Sequence, residues 1–395
     1  MKIIRFGELY SIPTSNGVSR PSAVRGEGFH MINMGELFSF DVINEMSMER
    51  VFLSDKEQKK YLVKKGDLLF ARQSLVAAGA GKCSIVNNIL EPTTFESHLI
   101  RVRLDETRCC PRYYYYLFKL PDNPIKTIVN QCAQAGIRGS ELQKIKVPLP
   151  MLAEQRRIAS ILSAYDNLIE NNNKRIRLLE QMAENLYKEW FVRFRFPGHE
   201  KTEFENGLPK EWKFENLFAV ADVSYGYAFK SDLFCNDESL NAVVRIRDIQ
   251  DNHTKTYTSE ICDDKYLIEE NAILVGMDGL FHMCLWNGER AYLNQRVVKI
   301  NSKFENMCNF LLYMSIRPQI KFWEQVIAGT TVAHLGDKHL KKVKVIIPEN
   351  ELLVKANNTI QNLMVEKNRL FKQNMLLSRQ RDLLLPRLMS GKLEI

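Results

Sequence analysis

Two stretches of the chain place apolar residues at the alternating three-and-four spacing of a helix that packs along another helix. In the first, Ile158, Tyr165, Asn172, Leu179 and Leu186 recur every seven residues. Ile161, Leu162, Leu168, Ile169, Ile176, Met182 and Trp190 add further apolar positions. In the second, Leu353 and Ile360 keep the same spacing, as do Ala356, Leu363, Leu370, Leu377 and Leu384. Lys367, Asn374 and Arg381 interrupt this second seam, and Asn172 interrupts the first. A polar residue in such a seam fixes register at some expense of stability. Pro197-Gly198 break the first helix, and Pro386 and Gly391 are expected to stop the second.

Between the helical stretches the chain says nearly the same thing twice. Gly139-Ser-Glu-Leu142-Gln-Lys-Ile145-Lys-Val147-Pro-Leu-Pro150 is echoed by Asp337-Lys-His-Leu340-Lys-Lys-Val343-Lys-Val345-Ile-Ile-Pro348, at an offset of 198 residues. Upstream, Gly66-Asp-Leu-Leu-Phe70 reads as a turn feeding a buried strand, and His98–Val102 alternates as a half-buried strand should. Asn271–Val275 and Leu293–Ile300 repeat these in order, and Val244–Ile249 matches Ile32–Leu37. Pro111 suits the first turn of a helix carrying Tyr113–Leu120, whose counterpart is Cys308–Met314. The expected fold is α+β, with similar globes at 1–150 and 197–348 and helical spacers at 151–196 and 349–395. The two helices pair most simply with each other as an antiparallel coiled coil, giving approximate two-fold symmetry.

Composition narrows the function less. A formal charge of +8 permits an anionic partner without requiring one. No apolar run approaches the ~18 residues of a membrane span, and the N-terminus lacks a signal-peptide pattern, so a cytoplasmic protein is expected. The eight cysteines form no C-x-x-C pair, which fits reduced thiols. His334 and His339 lack a third ligand at metal spacing, so no metal is expected. Gly79-Ala-Gly-Lys82 glances toward a phosphate loop, but Val76 and Cys83 stand where that pattern needs Gly and Ser or Thr. No amino-methyltransferase motif, methyl-donor loop or nuclease carboxylate-lysine cluster is evident, so neither catalysis nor a cofactor is expected.

Val147-Pro-Leu-Pro-Met-Leu-Ala-Glu-Gln-Arg-Arg-Ile158 resembles the opening of the central conserved region of Type I restriction-modification specificity (S) subunits. Trp190–Pro197 resembles the end of that region, Tyr227–Phe234 the start of a second target recognition domain, and Leu388–Ile395 the common C-terminus. The second copy departs from the pattern, since Ile-Pro-Glu-Asn-Glu-Leu-Leu353 lacks the Glu-Gln-Arg part. The resemblance implies a non-catalytic subunit whose two globes each read half of a split, asymmetric double-stranded DNA site. Its helices would dock two methyltransferase (M) subunits, with restriction (R) subunits in the full complex. A two-headed protein–protein scaffold built on the same helices is the alternative.

On that reading the candidate DNA contacts lie in loops and at strand ends. In the first globe they are Arg20, Arg25, Arg72, Gln73, Ser74, Lys82, His98 and Arg138; in the second, Lys230, Ser231, Arg247, Asp278, His282, Gln295, Arg296, Thr330, Thr331 and His334. Arg reads guanine and Gln reads adenine bidentately, and Asp accepts from the cytosine amino group. The plain alternatives are an ordinary polar loop for Arg72–Lys82, solvated surface charge for Arg20, Arg25 and Lys230-Ser231, a satisfied interior polar pair for Gln295-Arg296, and, beside Arg138, helix capping by Ser140. Tyr113–Tyr116 could stack bases, but the matching Phe310–Met314 reads as a core helix, so the tyrosines are expected to pack.

Overall fold

The computed structural model describes residues 2–74, 79–131, 135–327 and 333–393. The chain forms two compact units, residues 1–169 with 376–395 and residues 170–375. Each therefore holds one α+β globe and a stretch of both long helices, Leu152–Tyr187 and Asn350–Met389.

In the first unit the strands Tyr10–Asn16, Leu99–Leu104, Leu68–Ala71 and Cys83–Asn88 pair antiparallel in that order, and Val42–Asn44 adds a parallel edge. Burial on both faces explains the continuous apolar run of Leu68–Ala71. The helix Pro111–Lys119 covers one face, with Pro at its start. Its four tyrosines are at most 1% exposed, so they pack and offer no stacking platform. A second sheet joins Glu49–Val51, Arg25–Ile32 and Thr93–Phe95, the last two parallel.

The second unit repeats this plan. Ala221–Tyr225, Val297–Ser302, Ile273–Gly276 and Met283–Leu285 form the antiparallel sheet. Asn241–Val244 lies parallel to Ala291–Leu293 in a second, five-stranded sheet. The base of each globe closes alike: Lys2–Arg5 pairs antiparallel with Lys146–Leu149, and Lys213–Asn216 with Lys344–Ile347. Each globe also pins its entry loop with one glycine. A Cβ on Gly17 would lie 1.9 Å from the Phe95 carbonyl oxygen, and one on Gly226 2.0 Å from that of Asn294.

The helices complete the cores. Ile158, Ala159 and Leu162 from the first helix and Leu385, Leu388 and Met389 from the second join the tyrosine cluster. In the second unit Ala183 and Tyr187 meet Leu352, Leu353, Ala356 and Ile360. All ten seam residues expected from the spacing, Ile158, Tyr165, Asn172, Leu179, Leu186, Ile360, Leu363, Leu370, Leu377 and Leu384, are buried or half-buried.

Polar contacts show that the helices run antiparallel. In the first unit Arg381 donates to Asp166 at 2.7 Å, and the same carboxylate accepts from Tyr116 at 2.5 Å. In the second, Asn172 donates to Asn374 at 2.9 Å, Asn374 to Asn173 at 2.9 Å, and Lys367 lies 3.4 Å from Glu180. Each of the three polar interruptions of the second seam therefore meets a polar partner on the first helix.

Two details depart from the sequence reading. Pro386 does not stop the second helix, which continues to Met389 before Gly391 turns it with φ +70°. Proline there removes one helical donor near the end, where little of the ladder remains to be broken. The counterpart of the tyrosine helix is also longer than expected, Asn309–Ile327, and passes through Pro318.

The missing Glu-Gln-Arg motif has a structural substitute. Gln155 is fully buried and accepts from the Cys110 N–H at 2.8 Å, at the start of the tyrosine helix. In the second unit Asn357 accepts from the Cys308 N–H at 2.7 Å, one helical turn later than the position matching Gln155. Replacing either residue with alanine leaves a part-buried N–H without its acceptor, and each variant should lose about 1–3 kcal/mol in denaturant unfolding. An unchanged midpoint for both would show that these contacts do not tie helix to globe.

Candidate nucleic-acid interface

The sequence-predicted residues gather at one place common to both units and at a second in the second unit. The first is the junction where the central strand leaves its sheet. In the first unit the Arg72 N–H donates to the His98 carbonyl at 2.8 Å, and the Arg72 carbonyl accepts from the Ile137 N–H at 2.9 Å. Gln73 and Ser74 pair antiparallel with Gly136 and Ala135. These bonds bring Arg72, Gln73, Ser74, His98 and Arg138 to one junction. Arg138 is exposed, and its carbonyl starts the short helix Gly139–Leu142. Ser140 lies inside that helix, so Arg138 and not Ser140 is the capping residue.

The second unit repeats the junction with other side chains. Met277 donates to the Arg296 carbonyl at 3.0 Å and accepts from the Leu335 N–H at 2.8 Å. Asp278 bridges antiparallel to His334. Its carboxylate holds His334 Nδ1 at 2.6 Å and Arg296 Nε at 3.4 Å. Arg72, Gln73 and His98 are thus replaced by Met277, Asp278 and Arg296. Thr330 and Thr331 lie outside the described residues.

The second place is the cradle beside the second sheet. In the second unit it is an open concavity of about 660 Å³ lined by Ser231, Arg247, His282, Gln295 and Arg296, together with Phe229, Phe234, Arg245 and Gln250. Arg247 donates to Thr256 at 3.2 Å and lies 3.8 Å from Asp248. The Gln250 side-chain amide contacts His282 Nδ1 at 3.1 Å. Lys230 is exposed at the rim, its backbone N–H donating to Glu260 at 3.0 Å. Arg245 and Gln250 escaped the sequence reading because they sit in and just after the strand-like run Val243-Val244-Arg245-Ile246. Their Arg and Gln identity beside Arg247 was the available signal.

In the first unit the matching cations already have partners. Arg20 donates to Glu57 at 2.6 Å, and Arg25 to Glu49 at 2.6 Å and to the Arg20 carbonyl. Lys82 donates to the Phe38 carbonyl at 2.5 Å and lies 3.7 Å from Asp41. His98 lies 3.5 Å from Glu96. One group of metal-ligating type occurs among the described residues of this unit. Buried His30 lies 3.3 Å from Glu45 and 3.8 Å from Glu91, whose carboxylate already holds Arg50 at 2.7 Å. The Glu91 carboxylate is already committed to Arg50, and the group is assembled from three segments that no spacing rule would link. His339 accepts from the Gly336 N–H at 3.1 Å, and burial followed by Lys338 and Lys342 depresses its pKa.

A model of the Type I restriction modification DNA specificity domain matches residues 31–181 and 209–366, and the chain belongs to that family. It is 27% identical over 305 residues to the Type I restriction enzyme MjaIX specificity subunit of Methanocaldococcus jannaschii, covering 72% of this chain and 69% of that one. It is 20% identical over 434 residues to the HindI specificity subunit of Haemophilus influenzae, covering 89% and 93%. The crystal structure of the Type-I restriction-modification system S subunit from M. genitalium shares the fold, with a TM-score of 0.60 and 15% identity over 98% of this chain and 95% of that one. No helix among the described residues is long and apolar enough to cross a membrane.

The Ser54 N–H, then Arg20, then the Ser54 hydroxyl hold the Glu57 carboxyl down to about 2. A depressed folded-state value stabilises above the ordinary carboxylate range and is lost as pH falls through about 2. An NMR titration should find Glu57 ionised at pH 3.5 and, in Arg20→Ala, protonating at higher pH. An ordinary glutamate titration in the unaltered protein would show that the Arg20–Glu57 pair does not persist in solution.

Proposed function

We propose that the chain is the DNA sequence-recognition subunit of a Type I restriction-modification enzyme. Each globe reads one half of a split, asymmetric duplex site, residues 1–150 one half and 197–348 the other. The helical segments 151–196 and 349–395 space the heads and dock two M subunits, and R subunits complete the assembly. The chain performs no chemistry and needs no cofactor; its partners carry the reaction.

The supporting observation is one scaffold with different chemistry at matching points. Arg72 answers to Met277, Gln73 to Asp278, Lys82 to His282 and His98 to Arg296, each pair fixed by the same backbone hydrogen bonds. Two unlike half-sites require such differences on a shared frame, because base edges are told apart by donor and acceptor pattern. A protein–protein scaffold gives no reason for side chains suited to base edges to gather at both matching points.

The purified chain should bind duplex DNA with a steep salt dependence and should neither methylate nor cleave it. Arg138→Ala should weaken binding and, where Arg138 meets a base, relax one position of the first head's half-site by about 1–3 kcal/mol. Methyl transfer by the pure chain, or relaxation confined to the other half-site, would refute these assignments.

The spacing role has its own test. Seven residues inserted after Ile169 and seven after Met375 keep both seams in phase. Each insertion adds about 10 Å at 1.5 Å per residue, or roughly three base pairs. Methylome sequencing should then show both half-sites unchanged around a longer spacer, with lower affinity because three base pairs also turn the duplex by about a third of a helical turn. Retention of the original spacing alone would show that the helices are not the ruler.

A further inference from the structure

Each unit sets a guanidinium beside the turn that follows its parallel strand, but from a different position: Arg25 heads the strand Arg25–Ile32, whereas Arg245 follows Asn241–Val244. After Ile32 and after Val244 the chain leaves its parallel ladder through the same turn. Glu36 accepts from the Asn33 N–H at 2.8 Å, and Asp248 from the Arg245 N–H at 2.9 Å. The short turns Ser22–Val24 and Ser231–Leu233 also correspond, and each is followed by the facing residue. This sets Arg25 against Asn33 in the first unit, 3.5 Å from its amide oxygen. In the second it sets Phe234 against Arg245, whose guanidinium lies 5.4 Å from the ring centroid.

Their electrostatic states differ. Arg25 is neutralised by Glu49 at 2.6 Å, and its remaining donors go to the Arg20 carbonyl. Arg245 has no carboxylate at ion-pair distance among the described residues, and it borders the open concavity. Arg247 and Arg296, more exposed on the same concavity, each already face a carboxylate, Asp248 at 3.8 Å and Asp278 at 3.4 Å. An arginine resting on an aromatic ring is pre-organised, so less freedom is lost when it forms two parallel hydrogen bonds. Guanine O6 and N7 are the base edge that accepts such a pair in the major groove.

We propose that Arg245, seated on Phe234, is the guanine-reading residue of the second unit. The half-site read by that unit contains a guanine at this place, and Arg25, locked to Glu49, makes no matching contact in the first unit. This deepens the DNA-reading function proposed above and rests on it.

The test uses the chain assembled with its M subunits and duplexes carrying the motif that this complex methylates, with each guanine replaced in turn. The unaltered complex should reject replacement of one guanine in one half-site by roughly 5- to 150-fold. Arg245→Ala and Arg245→Lys should both lose that discrimination while the other positions stay specified. Arg245→Lys keeps the charge, so its binding to duplex lacking the motif should change by no more than a few-fold. Phe234→Ala should lower the same discrimination, and Arg25→Ala should leave it intact. Full guanine discrimination in Arg245→Lys would overturn the proposal. So would an Arg245→Ala complex weakened equally on all duplexes with its salt slope reduced by about one, which marks a phosphate contact. If the unaltered complex does not distinguish its motif from other duplex, the DNA-reading function itself fails, a result separable from loss of one position.

Discussion

The structure depends on two amphipathic helices that cannot stand alone. A seven-residue apolar repeat along one helix leaves a stripe that water would wet unless another helix covers it. Apolar contact alone would tolerate sliding by a turn; the polar rungs do not. Lys367, Asn374 and Arg381 recur every seven residues, and their partners Glu180, Asn173 and Asp166 recur every seven on the first helix. A shift by one turn would strand Lys367, only 5% exposed, away from its carboxylate. Removing a partner from a buried charge is strongly destabilising, by about 3–5 kcal/mol where burial is complete. Register is therefore chosen by what the alternatives would leave unpaired.

From that frame the globes inherit their geometry. Gln155 and Asn357 each reach from a helix to the first turn of a globe's covering helix, although the two side chains sit one turn apart in the repeat. Divergence has changed the residues and kept the bonds. The same holds at the junctions, where backbone hydrogen bonds repeat while the side chains they display do not. A scaffold fixed by main-chain bonds and core packing leaves its loop side chains free to change at little expense in stability.

Much of this was legible in the sequence. The seams follow from period alone, and the repeat at an offset of 198 residues located corresponding strands. The rung partners were readable too, since Asp166, Asn173 and Glu180 directly follow seam positions Tyr165, Asn172 and Leu179. Pro386 misled because a proline near a helix end removes little, whereas the rule describes interiors. Site residue types were visible, but their electrostatic state was not. Nothing in the sequence links Arg20 to Glu57 or Arg25 to Glu49, which come together only through the fold. Arg245 was hidden inside a strand-like run, where alternation suggests burial more than display.

The unequal composition of the two units has a consequence for synthesis. The second unit is one continuous segment, 170–375, whereas the first needs residues 376–395 as well. Leu385, Leu388 and Met389 pack against Ile158 and Leu162, so the core of the first unit cannot close until the whole of the second has been translated. The globe begun first is therefore the one completed second. Until then, its helix presents an uncovered apolar stripe and Asp166 waits for Arg381. A chain interrupted between residues 375 and 385 would carry one finished globe and one open core, the kind of exposed surface that quality-control chaperones and proteases bind.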